Sequence, residues 1–417
     1  MWERATIKRS WITNKNSLII LCFFFGHTVF HFLGQSFAVL LPRIQETFLI
    51  TPVQVGVLIT VREIVAGVVS LPGGILSDYL HRYRAHILTI CLILFGVGWI
   101  IIATAPVYGL LFVGMIVIAS AGSVWHLPAL VELGSRFAEK RGTVFAIHGA
   151  GGSIGDIIGP IATGLLLAYL SWREILTIYV SLPIILAIWT YLLFTKLDKI
   201  DQNQFEKSES VAGHSLADQL KVLRDILKST HIWRVNIVAG LRGMCFVVLI
   251  TFLPIYMHDS GFSSRSIGFH FGLLWAIGLP MSPFLGYLSD QFGRKIILVP
   301  ALLYSSVLVT ALAFGGTGLG FTLLIVLLGF SVRSDYSLIN ATIIDIAKQR
   351  AETTLLGLLS FSRFLMGALA PLIAGGLFQY INMQATLFFV AGLFLLAAII
   401  FASVDLKLDS EQIQDLE

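Results

Sequence analysis

Gly286-Tyr-Leu-Ser-Asp-Gln-Phe-Gly-Arg-Lys295 has a counterpart 212 residues upstream, Gly74-Ile-Leu-Ser-Asp-Tyr-Leu-His-Arg-Tyr-Arg84, and the match between the two decides the fold. Gly, Leu, Ser and Asp recur in step, at 74, 76, 77 and 78 and at 286, 288, 289 and 290. The same offset of 212 joins Pro42 to Pro254 and Gly56 to Gly268, so six pairs hold one register without a gap. Further on, Pro160 and Gly164 match Pro371 and Gly375 at an offset of 211. Turn and helix-end residues do not keep register over such distances by chance. The chain is a parallel internal repeat, the arrangement of transporters whose site lies between two bundles.

Composition says where the repeat resides. Of 417 residues 56% are hydrophobic and 12% charged, and the mean hydropathy is +0.86. Soluble chains are about 45–50% apolar and about 25% charged, so a water-soluble enzyme or nucleic-acid-binding module is excluded. The apolar runs are continuous rather than alternating, which excludes a β-barrel. Twelve such segments fall at 17–41, 52–76, 86–105, 108–133, 142–170, 175–195, 235–257, 266–288, 296–315, 319–343, 353–379 and 384–404. Each is long enough to cross a hydrocarbon core of about 30 Å at about 1.5 Å per residue. The basic leader (Arg4, Lys8, Arg9, Lys15) precedes an apolar run too long for a cleaved signal and is read as an uncleaved first helix. Cys22, Cys91 and Cys245 all lie in apolar segments, so neither a disulfide framework nor a zinc site is expected.

The scarce charge is sorted. With both termini inside, 21 of 28 Lys and Arg fall in tails and inward loops. Three (Arg43, Arg173, Arg265) fall outside and four (Arg62, Arg242, Arg333, Arg363) fall within spans. That split predicts cytoplasmic termini and a multi-pass protein of the inner or plasma membrane. The expected organisation is an all-α protein with an N-terminal six-helix bundle (1–196), a cytoplasmic linker (197–234) and a C-terminal six-helix bundle (235–417). In the linker Leu216, Leu220, Leu223 and Leu227 have the spacing of a short amphipathic surface helix.

At the matched loops the chain resembles the major facilitator superfamily. The second-half loop is close to that family's loop signature, and the first-half copy keeps Gly74, Asp78 and Arg82 with His81 in place of Gly. The resemblance implies a gating role for Asp78, Arg82, Asp290 and Arg294, as ion pairs made in one state and released in the other. Span 5 reads Gly155-Asp-Ile-Ile-Gly159-Pro160-Ile-Ala-Thr-Gly164, similar to the antiporter motif of that superfamily, with Thr163 replacing a Gly. It implies a gating role for Gly159 and Pro160; a small-xxx-small packing face is the other reading. Gly26-His27, Leu71-Pro72-Gly73-Gly74, Ser123-Val-Trp-His126-Leu-Pro128 and Arg141-Gly-Thr-Val-Phe-Ala-Ile-His-Gly149-Ala-Gly-Gly152 resemble the fosmidomycin-resistance-like transporters within it. His31 stands where an acid would be expected.

Ionisable side chains inside a membrane are costly, so each needs a partner or a task. Four arginines against Glu63, Asp156 and Asp335 leave a net positive interior suited to a phosphonate, phosphate or carboxylate, which Arg forks bind bidentately. Substrate-binding candidates are Arg62, Arg242, Arg333 and Arg363 with His27, His31 and His126; Arg242 and Arg363 have no acid close by in their own spans. Candidates for proton coupling are Glu63, Asp156, Asp335 and His31. His27 and His31 stand one helical turn apart, but no third ligand with metal-site spacing is visible, so no metal site is expected.

No nucleotide-binding motif, nucleophile constellation or cofactor site is present, so the chain is no enzyme and needs an ion gradient. The expected function is a monomeric, proton-coupled antiporter exporting a small organic anion or drug by alternating access, with protons, substrate and bilayer as its partners. The alternatives are an organic-anion or organophosphate importer or exchanger, and a metal or siderophore exporter using His27 and His31.

Overall fold

In lipid the backbone has no water to bond to, so continuous apolar segments must satisfy their own amides as helices. The computed structural model describes residues 14–79, 83–201, 228–332, 334–347 and 352–404. Its helices are α1 (Asn14–Phe48), α2 (Pro52–Tyr79), α3 (Arg84–Thr104), α4 (Tyr108–Arg136), α5 (Arg141–Leu166), α6 (Trp172–Tyr179) and α7 (Ser181–Asp201), then α8 (Thr230–Asp259), α9 (Ser264–Phe292), α10 (Arg294–Leu312), α11 (Leu319–Val332), α12 (Ser334–Ala347), α13 (Glu352–Tyr380) and α14 (Met383–Ala402). Together they supply twelve candidate membrane spans, as many as the sequence predicts. The linker helix expected around Leu216–Leu227 lies outside the described residues.

The differences from expectation sit at helix ends. α1 runs past Pro42 to Phe48, because Arg43 pairs with Glu46 one turn on and Thr47 bonds back to the Arg43 carbonyl. The sixth span is broken near Val180, where Pro183 can offer no amide to the preceding turn. Small polar residues start the helices: Ser171 forms a capping box with Glu174, and Ser229, Ser263 and Asn382 cap α8, α9 and α14.

Within the first half α1 packs along α5, and α2 and α3 along α4; in the second, α13 packs along α8 and α10 along α14. The halves meet chiefly through two symmetric pairs, α2 with α13 and α5 with α9. The glycines and prolines of the repeat make both junctions. A methyl added at Gly56 would run into the Pro371 carbonyl, and one at Gly268 into the Pro160 carbonyl. At Gly164 it would lie 2.6 Å from the Ser264 oxygen, and at Gly375 2.5 Å from the Pro52 oxygen. Only residues without a side chain let the backbones come this close.

All four sites lie at the end carrying the 49–51 connection, hereafter the first-loop end. Polar contacts cross between the halves there too. The Val53 amide donates to Gln379 Oε1 at 3.3 Å and Arg265 to the Tyr169 hydroxyl at 3.0 Å. His258 Nε2 lies 3.5 Å from Glu46 Oε1, and Thr60 donates to the Ala368 carbonyl at 2.6 Å. The two six-helix bundles are thus joined at one end by their own repeat.

Candidate functional site

The site begins with the contact between α1 and α5. Gly151, Gly155 and Gly159 recur every four residues and lie on the carbonyls of Phe24, Thr28 and Phe32, which recur at the same spacing. Thr28 clamps the contact by donating to the Phe24 and Gly151 carbonyls, each at 2.9 Å. Gly152 leaves room for an imidazole: a methyl there would sit 2.8 Å from His27 Cε1. The span-5 motif forms a packing face here, with Gly159 on α1 and Pro160 and Gly164 on α9.

Four histidines gather beside this contact. His27 stacks on His148 with centroids 4.1 Å apart and planes 8° from parallel. His31 stands edge-on to His27 at 4.5 Å, and His126 from α4 lies 5.3 Å from His27. His27 Nδ1 is 2.8 Å from the His148 carbonyl and His126 Nδ1 is 2.7 Å from the Gly122 carbonyl. A carbonyl only accepts, so both Nδ1 atoms carry the proton and both Nε2 atoms keep a lone pair. His31 Nδ1 is 2.8 Å from Asp156 Oδ1, which sets the same tautomer on a third ring when the carboxylate is ionised. Asp156 is buried, whereas 35% of the His31 side chain is exposed. His148 is buried, and its Nδ1 has no hydrogen-bond partner.

The second half contributes arginines. Arg242 on α8 donates through Nε to Asp335 Oδ1 on α12 at 2.7 Å and through its guanidinium to the Val332 carbonyl. Both partners are buried, and Arg242 lies over the Phe246 ring at 4.9 Å. The acid absent from its own span thus comes from another helix. Arg363 on α13 stacks over Phe364 at 4.5 Å and Tyr336 at 5.3 Å. Its Nε is buried without a hydrogen-bond partner, and among the described residues it has no carboxylate within ion-pair distance. It lies within electrostatic reach of His126 in the opposite half. Arg62 and Glu63 are 3.8 Å apart on α2, the arginine part-exposed and the acid buried. Arg333 and Arg82 lie outside the described residues, as does the Asp78 side chain.

At the opposite, linker end, Arg294 joins Asp290, Ser289 Oγ at 2.9 Å and Asp345 at 2.7 Å. In the first half, buried Glu132 on α4 holds Arg136 at 2.9 Å and Arg84 at 3.8 Å. Sequence reasoning missed Glu132, Asp345 and Tyr336, and it gave His148 no role. The first two stand 213 residues apart, one off the repeat register, and that near-match of two acids was the available signal.

Twelve spans in two repeated bundles, with titratable side chains facing one another between them, define a membrane transporter. The chain matches the family model described as Major Facilitator Superfamily over residues 23–317 and 279–414, and it belongs to that superfamily. It is 23% identical to the hexuronate transporter of Bacillus subtilis (strain 168), over 91% of this chain and 92% of that protein. Likeness to the glycerol-3-phosphate transporter of the same organism is 22% identity over 84% and 83%. Among solved structures, a bacterial homologue of the human lysosomal transporter Spinster, in an inward-facing and occupied conformation, superposes with a TM-score of 0.77. That likeness has 16% identity and covers 97% of this chain and 98% of the other, and it speaks for the fold.

Proposed function

We infer that this superfamily member is a secondary transporter of a small organic anion, bound between the histidine cluster of the first half and Arg363 of the second. The observation that carries the reading is Arg363: a guanidinium inside the bilayer, held flat by two rings, with a buried Nε and no carboxylate partner among the described residues. A cation kept at that depth without an ion pair is expected to serve a ligand. Arg242 is already neutralised by Asp335, so its part is to hold α8 against α12 and support the site, with Arg62 and Arg333 as further candidates. Relatives named for hexuronate and glycerol 3-phosphate, both anions, favour the same substrate class.

The coupling we infer is proton antiport in the export direction, as in the fosmidomycin-resistance-like branch, with His31 and Asp156, Glu63 and Asp335 as candidate carriers. The supporting feature is the His31–Asp156 pair, in which a part-exposed imidazole meets a buried carboxylate. A second reading is anion uptake or exchange, which the names of those two relatives, giving a substrate and no direction, fit equally.

Proteoliposomes separate them. With a panel of hexuronate, glycerol phosphate and phosphonate anions, antiport moves protons inward as anion leaves. Cotransport in one direction would overturn antiport, and exchange that needs an anion on the far side but no pH gradient would establish the second reading.

A further inference from the structure

We propose that His27, His31 and His126 form a binding site for a divalent transition-metal ion, with Asp156 as the carboxylate that orients His31. One ring nitrogen can be taken from each so that all three lie within 4.8 Å of one another. Two of the residues are one turn apart on α1, and the third comes from the middle of α4. Each ring bonds an acceptor through Nδ1: the His148 carbonyl, the Asp156 carboxylate and the Gly122 carbonyl, at 2.8, 2.8 and 2.7 Å. That is how metal-binding histidines are held, one nitrogen donating to an oxygen and the other turned to the ion.

The rings are also fixed in place. His27 is sandwiched between the His148 ring and the bare backbone of Gly152, so its plane is set before a ligand arrives. His126 stands edge-on to Trp125 at 5.3 Å. The three rings are part-buried and close enough together to share an ion.

Chemistry narrows the ion. Three neutral imidazoles without a directly ligating carboxylate suit Zn²⁺, Co²⁺, Ni²⁺ or Cu²⁺ and offer little to Mg²⁺ or Ca²⁺, which take oxygen ligands. Three histidines leave one tetrahedral position for water or an anionic oxygen. The site shares its histidines with the anion reading above but takes no arginine, so the two readings fail separately.

The test uses the tag-free, full-length protein in detergent, titrated with Co²⁺ and followed by visible absorption, with Zn²⁺ competition. Expected are tetrahedral d–d bands that saturate at one Co²⁺ per chain and vanish as Zn²⁺ displaces it. His126→Ala should abolish the bands, and Asp156→Asn should weaken binding roughly 10- to 100-fold. The absence of saturating bands in the unmodified protein overturns the proposal and needs no variant to fold. So does unchanged affinity in a His27→Ala/His31→Ala/His126→Ala chain with wild-type elution and helical content, because binding would then lie on other histidines. Loss of anion transport on Arg363→Gln with the cobalt bands intact is expected; loss of both would overturn the assignment of the metal to the histidines alone.

Discussion

The first-loop end gives the sharpest quantitative prediction. A methyl on Gly164 would sit 2.6 Å from the Ser264 oxygen, and one on Gly375 would sit 2.5 Å from the Pro52 oxygen. Ordinary contact begins near 3.4 Å, so the alanines force their helix pairs apart by about 0.8 Å and 0.9 Å respectively. Backbone cannot swing aside as a side chain can, and overpacking of this kind costs about 1–3 kcal/mol. The cost falls only on the state in which that end is shut, so each substitution should shift the equilibrium away from it by roughly 5- to 150-fold. The two junctions involve different helix pairs, and their effects should add in the double variant. Spin labels on Leu49→Cys and Tyr380→Cys, where the native residues are 88% and 78% exposed, report the separation by electron–electron resonance. The three native cysteines are buried and need no removal. The control is Gly376→Ala, whose methyl would meet nothing within 4 Å. Longer distances in Gly164→Ala and Gly375→Ala, with Gly376→Ala unchanged, are expected. If all three variants give the wild-type distribution, these backbone contacts do not hold the end shut.

Three further outcomes follow from the interior. Arg242→Met strands the buried Asp335 carboxylate and should cost about 3–5 kcal/mol of stability, whereas Arg242→Met with Asp335→Leu should recover most of it; thermal unfolding in detergent reads both, and equal loss in the two would show that the pair is not what matters. Arg363→Gln removes a charge-assisted bond worth about 1.5–3 kcal/mol and should weaken anion binding by roughly 10- to 150-fold in counterflow, with little change in melting temperature. Gly159→Ala places a methyl 2.5 Å from the Phe32 carbonyl and should destabilise the first half by about 1–3 kcal/mol, again by thermal unfolding; a neutral result would mean that α1 and α5 can separate freely.

Much of the architecture was legible because membrane helices obey two strong rules, apolar length and register of the repeat. Gly56, Gly164, Gly268 and Gly375 could be singled out from spacing, and they turned out to be the residues on which the halves touch. What spacing could not show was which helices become neighbours. His27 and His31 are adjacent on one helix and readable as a pair, but His126 and His148 reach them only because α4 and α5 fold back onto α1. Likewise Arg242 and Asp335 are 93 residues apart, so nothing local marked them as partners. A lone buried charge in a sequence announces a need, not the residue that meets it.

The glycine face of α5 has a mechanical consequence. Along Gly151, Gly155 and Gly159 the helix has no side chain to slide or repack, so parting it from α1 would leave two bare backbone faces with nothing of matching shape. One residue further on, Pro160 and Gly164 meet α9, and Ile157 and Ile161 lie against Gly272 of the same helix. α5 is in effect a hinge leaf, riveted to its own bundle along one edge and latched to the other bundle. Any rocking of the bundles must carry α1 along with it, and the histidines travel as cargo of the moving part.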